Sequence, residues 1–173
     1  MALTPAALLL TLLVQTSHVS TGHHLHPTFC LHQVSLDVGR ASLCSPTAVS
    51  PRRKAEIERQ LARALELYPE FAREVGLRTP HDQPPLRIYL LPVAVLNDDR
   101  IFTTHVAGRA VGRYTRGAHH IYVTPEMFTR EGATDFAHEV GHYGNDLAGI
   151  AEDELDERLA TQFEDFMASW SEE

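Results

Sequence analysis

Cysteine is scarce in this chain of 173 residues, with only Cys30 and Cys44 present. Zinc ribbons and knuckles need close pairs of cysteines, so that class of metal site is excluded. A basic surplus is missing as well, since fifteen Lys and Arg face twenty-three Asp and Glu, for a formal net charge of −8. Nothing in the sequence offers the positive face that nucleic acid requires, and Arg52-Arg53-Lys54 is a short cluster at a helix start. Long apolar runs are absent too. The best, from Ala6 to Val14, is too short to cross a bilayer. Internal repeats are not found.

The short apolar run suits a signal peptide over residues 1–22, although no Lys or Arg precedes it. Ser20 and Gly22 would then be the small residues before cleavage, and His23 the mature start. An ordinary buried helix is the alternative. Export fits a Cys30–Cys44 disulfide, whose loop would contribute about 3 kcal/mol. The expected location is secreted or periplasmic, without stable membrane insertion. Residues 23–49 carry His, Ser and Thr without a clear period and read as an extended N-terminal segment. The cluster GHHLH at 22–26 reads as a polar leader.

Residues 50–173 read as one α+β domain. Ser50-Pro51 is an N-cap with proline at the first helical position. Ile57, Leu61, Ala64, Leu65 and Tyr68 then mark one face of a helix. Pro69 should kink or end it at Tyr68, with a further turn stopped by Gly76. Strand character follows in LRIYLLPVAVL, IFTTHVAG, the glycine-spaced GRAVGRYTRG and AHHIYVT. Two helical segments divided around Gly149 complete the chain. The second is acidic: residues 151–173 hold nine acids against Arg158, a balance equal to the net charge of the whole chain.

The stretch DFAHEVGHYG carries the chemistry. His138 and His142 stand four apart, with Glu139 after the first. In a chain with 11 histidines this pattern alone is only suggestive. Its helical wheel adds more. Ala133, Phe136, Ala137, Val140, Tyr143, Gly144 and Leu147 fall within about 60° of Val140, and both histidines point roughly 160° away. The apolar stripe can pack while both imidazoles face a cleft and share one ion. A third ligand is needed. Asp146 sits about 12 Å along the axis from His138, too far. The acidic helix offers Glu157 or Asp156, and periodicity leaves both open. Ala160 would let the two helices approach closely.

HEVGH followed by Glu157-Arg158-Leu159-Ala160-Thr161-Gln162-Phe163 resembles the gluzincins, in particular their small single-domain members, the minigluzincin and peptidase-MA-like proteins. The similarity spans roughly residues 86–167. The metzincin continuation is absent, with Asn145 and Ala148 at its key positions, and so is the upstream cysteine motif of peptide deformylases. The resemblance implies a zincin-like fold. That fold has an N-terminal helix, a small twisted mixed sheet with an edge strand, the HExxH helix and a following C-terminal helix. It implies one Zn²⁺ per chain on His138, His142 and Glu157, in preference to Asp156. Glu139 would be the general base acting on a zinc-bound water, and the reaction peptide-bond hydrolysis. The edge strand that holds an extended peptide or protein substrate would be AHHIYVT. Tyr143, Tyr114, Tyr122, His119 and His120 are open candidates for stabilising the oxyanion, and Asp135 for supporting an imidazole. A monomer is expected. An inactive metal-binding module of the same fold is the alternative, against which the retention of Glu139 speaks.

Overall fold

The computed structural model describes residues 29–80, 82–98, 101–102, 110–128 and 133–170. The signal-peptide reading, the GHHLH cluster and most of IFTTHVAG lie outside them. The element order is β1 (His32–Ser35), β2 (Ala41–Ser45), α1 (Pro51–Glu74), β3 (Leu86–Leu90), α2 (Val93–Leu96), β4 (Gly112–Thr115), β5 (His120–Val123), a 3-10 turn (Pro125–Phe128), α3 (Ala133–Leu147) and α4 (Asp153–Ser169). The protein is α+β, with one mixed five-stranded sheet in the order β1-β2-β3-β5-β4. The inner pairs β2–β3 and β3–β5 are parallel, and the outer pairs are antiparallel.

Side chains alternate across the strands and separate two cores. Leu43, Ile88, Ile121 and Val123 face the layer of α1, α3 and α4. Cys44, Tyr89, Leu91 and Tyr122 form a smaller cluster on the other face. There the Cys30–Cys44 disulfide ties the chain ahead of β1 to β2. The sheet therefore takes in part of the segment read as extended, residues 32–45. Their strand character is hidden because β1 is an edge strand with mostly exposed residues, so HQVS shows no apolar alternation.

Ser50 caps α1 as expected, its Oγ accepting from the Arg53 N–H at 3.2 Å. Pro69 does not end the helix, which runs on to Glu74. Beyond the proline, Phe71 and Ala72 are buried, and Phe71 packs at 5.3 Å from the Phe163 ring. Burying one phenylalanine contributes about 2–3 kcal/mol, comparable with the cost of an interior proline. Tertiary packing thus offsets the break.

Two further corrections concern the β region. After β3 the chain turns at Pro92 into the single helical turn Val93–Leu96, where a continued β run was expected. And AHHIYVT is not the edge strand: β5 lies between β3 and β4, and the edge is β4. Burial gives the reason. Ile121, Tyr122 and Val123 are all buried, the continuous apolar run of an internal strand, whereas Gly112–Thr115 is only half-buried.

The helix layer depends on close approaches. A Cβ on Gly144 would lie 2.2 Å from the Tyr68 ring of α1, and one on Gly141 would lie 3.0 Å from the Ala160 Cα of α4. Ala160 thus serves the close packing of α3 on α4 expected from its size. Gly149, at φ +82°, closes α3 with the Ile150 N–H donating to the Asn145 carbonyl at 3.0 Å. The chain then reverses into α4.

Candidate metal centre

Helix α3 buries Phe136, Ala137, Val140 and Tyr143 against the sheet and α1, which turns His138 and His142 toward an open cleft of about 430 Å³. The edge strand β4 forms one wall through Gly112, Arg113 and Tyr114, and the start of α4 forms the other. Glu157 reaches over from α4. The two imidazole Nε2 atoms stand 3.1 Å apart. Glu157 Oε1 is 3.4 Å from His138 Nε2, and its Oε2 is 3.5 Å from His142 Nε2.

These distances carry information. Nitrogen and oxygen ligands bind zinc at about 2.0–2.2 Å in a tetrahedron, whose edge is then roughly 3.3–3.5 Å. The three separations match that edge without rearrangement. Among the described residues, His138, His142 and Glu157 form the group able to hold a cation. Shelter is unequal: the side chains of the two histidines are 18% and 13% exposed, that of Glu157 67%.

Both imidazoles have their far nitrogen against a carboxylate of α4. His142 Nδ1 donates to Asp156 Oδ2 at 3.0 Å, and His138 Nδ1 lies 3.4 Å from Glu164 Oε2. A proton held on Nδ1 leaves the Nε2 lone pair for a metal. Asp156, the rival for third ligand, is thus engaged behind His142. Its carboxylate also accepts from Asn145 Nδ2 at 2.8 Å and from Arg116 Nη2 at 2.8 Å. Burial works to raise its pKa, but the hydrogen bonds from His142, Asn145 and Arg116 outweigh this and hold it below the usual value. For His142, burial opposes the charge, yet Asp156 and Glu139 leave the ring raised. Burial, with His142 beside it, lowers His138. Asn145 is fully buried and completes the network by accepting from the Tyr68 hydroxyl at 2.7 Å.

Glu139 lies at the floor of the cleft. Its Oε2 is buried without a hydrogen-bond partner. Room for it is made by Gly112, where a Cβ would come within 2.7 Å of Glu139 Oε1. Burial pushes this carboxyl up to about 8; Glu157 adds to the effect, while His142 and Arg113 oppose it. An unpaired buried carboxyl has no structural rationale of its own, and its place beside two imidazoles marks a functional group.

The remaining candidates separate clearly. Tyr122 and His120 sit together on the opposite side of the sheet, His120 Nδ1 3.2 Å from the Tyr122 hydroxyl. The Tyr143 hydroxyl donates to the Pro84 carbonyl at 3.0 Å. Tyr114 stacks parallel to His142 at 6.3 Å, but its hydroxyl donates to Asp146 Oδ2 at 2.6 Å and also meets His119 Nδ1 at 3.1 Å. Asp135 is half-buried, and the carboxylates that meet the imidazole Nδ1 atoms are those of α4 instead. Sequence reasoning missed Arg116, Asn145, Glu164 and Gly112. Glu164 had a findable signal, lying seven residues after Glu157 on the same face of α4.

Comparison with known proteins adds no relative: no protein-family model, curated protein or solved structure matches the chain.

Proposed function

We propose that the chain is a zincin-like zinc metallopeptidase of the gluzincin type, with His138, His142 and Glu157 as ligands of one Zn²⁺ and Glu139 as general base. The observation that carries this reading is the coincidence of two features in one cleft. Three ligand atoms stand at the edge lengths of a zinc tetrahedron, and an unpaired buried carboxyl lies beside them. A structural site would need the first feature and not the second.

Zinc bound there supplies Lewis acidity, acidifying a water and polarising a peptide carbonyl. The chain's own groups do the rest. Glu139, made more basic by burial, takes the proton from the attacking water and returns it to the leaving nitrogen. Asp156 and Glu164 keep the imidazoles oriented. The free edge of β4 beside the cleft offers backbone donors and acceptors to an extended peptide. The disulfide is compatible with work outside the cell, and no helix among the described residues is long and apolar enough to cross a membrane.

The test is metal content together with hydrolysis of a quenched-fluorescent peptide library. Wild type is expected to hold one zinc and to cleave. Glu157→Ala should lose both properties, and Glu139→Gln should keep zinc and lose cleavage by about 10²-fold or more. Zinc without cleavage in wild type would identify an inactive binding module, and no zinc would refute the metal centre.

A further inference from the structure

Arg116 lies in the turn between β4 and β5, outside both helices that carry the ligands. Its guanidinium nevertheless reaches the start of α4 at three points. Nη1 donates to the Ala151 carbonyl at 2.8 Å and to Asp153 Oδ1 at 3.2 Å, and Nη2 donates to Asp156 Oδ2 at 2.8 Å. That same Oδ2 accepts from His142 Nδ1. Asp156 is therefore the meeting point of three elements: the hairpin through Arg116, α3 through His142 and Asn145, and α4 through its own backbone. The turn is anchored a second time on α3. Asp146 Oδ2 accepts from the Gly117 N–H at 2.8 Å and from the Tyr114 hydroxyl, beside His119, whose backbone has φ +54°.

We propose that Arg116 and Asp156 are positioning residues of the metal centre, through which the β4–β5 turn and the ring of His142 are held by one set of hydrogen bonds. The inference rests on the metal-centre reading above. Two donors locate Oδ2, so the acceptor that orients His142 depends on a residue from the cleft wall. A cation that fixes Nε2 also fixes Nδ1, and with it Asp156, Arg116 and the turn. Linkage then requires the converse: whatever orders the hairpin, a peptide along β4 included, raises the affinity for the metal by the same factor.

The experiment measures zinc affinity by competition with a chromophoric chelator for wild type, Arg116→Gln, Arg116→Lys and Asp156→Asn. Thermal unfolding of each metal-free protein is recorded in parallel. Hydrogen exchange of the turn, residues 116–119, is followed with and without zinc. Arg116→Gln and Asp156→Asn should each weaken zinc binding about 10- to 100-fold, and Arg116→Lys should recover part of the loss. Zinc should slow exchange in the wild-type turn and leave it unchanged in Arg116→Gln. Because Arg116 is partly exposed, that variant remains informative if Asp156→Asn fails to fold. Zinc affinity within twofold of wild type in Arg116→Gln, with the slowing retained, would overturn the inference. A loss of affinity matched by collapse of the metal-free melting temperature would overturn it too, in favour of a plain structural role. Absence of zinc from wild type would instead remove the metal centre, and this inference with it.

Discussion

Replacing Glu139 by glutamine in the metal-free protein probes the burial of this carboxyl apart from any catalysis. Burial raises the group from its ordinary 4.5 to about 8. Between about pH 5 and 8 the folded chain therefore holds a proton that the unfolded chain has released. Stability falls as pH rises through that window and levels off above it. One pH unit of displacement corresponds to about 1.4 kcal/mol, which sets a ceiling of roughly 5 kcal/mol. With the neighbouring charges free to readjust, an effect on the order of 3 kcal/mol is expected. Glutamine keeps the shape and carries no charge.

Wild type and Glu139→Gln should thus be about equally stable at pH 5. By pH 9 the variant should be the more stable, melting roughly 6–12 °C higher for a chain of this size. Circular dichroism melts in excess chelator at pH 5, 7 and 9 measure the divergence. Adding zinc should narrow it, since a nearby cation favours the carboxylate. Equal melting temperatures at all three pH values would show that Glu139 is ionised and solvated in the folded chain, and the reasoning would fail.

Other perturbations test the framework around the site. Gly144→Ala places a Cβ against the Tyr68 ring and should cost about 1–3 kcal/mol in urea unfolding. Asn145→Leu strands the Tyr68 hydroxyl and one Asp156 oxygen in the interior, a loss on the order of 3 kcal/mol by the same assay. Reduction of Cys30–Cys44 should lower stability by about 3 kcal/mol. It should leave zinc uptake unchanged, because the bridge lies on the far face of the sheet.

Much of the ligand set was legible in the sequence because it is written in helical periodicity. The wheel of α3 turns both histidines away from the stripe that Phe136, Val140 and Tyr143 bury. Choosing between Glu157 and Asp156 was harder. Both lie near the same face of α4, and only the packing of Gly141 on Ala160 sets which carboxylate reaches Nε2 and which reaches Nδ1. The edge strand was misread, although IYV against GRYT already contrasts an internal strand with a half-exposed one. Pro69 was misjudged because the burial of Phe71 against Phe163 is a contact across 92 positions that no local rule sees. Arg116 had no signature either, since its meaning lies in a turn that meets α4 forty residues later.

Each carboxylate that meets an imidazole of His138 or His142, whether from Asp156, Glu157 or Glu164, rides on α4. An ion between these helices is in effect a clasp, joining two neighbouring stretches of chain across the Gly149 reversal. Chelation would then be felt first at the C-terminal end, as a loosening of α4, while the sheet and its disulfide stay as they were. A protease added to the stripped protein should find its earliest cuts there.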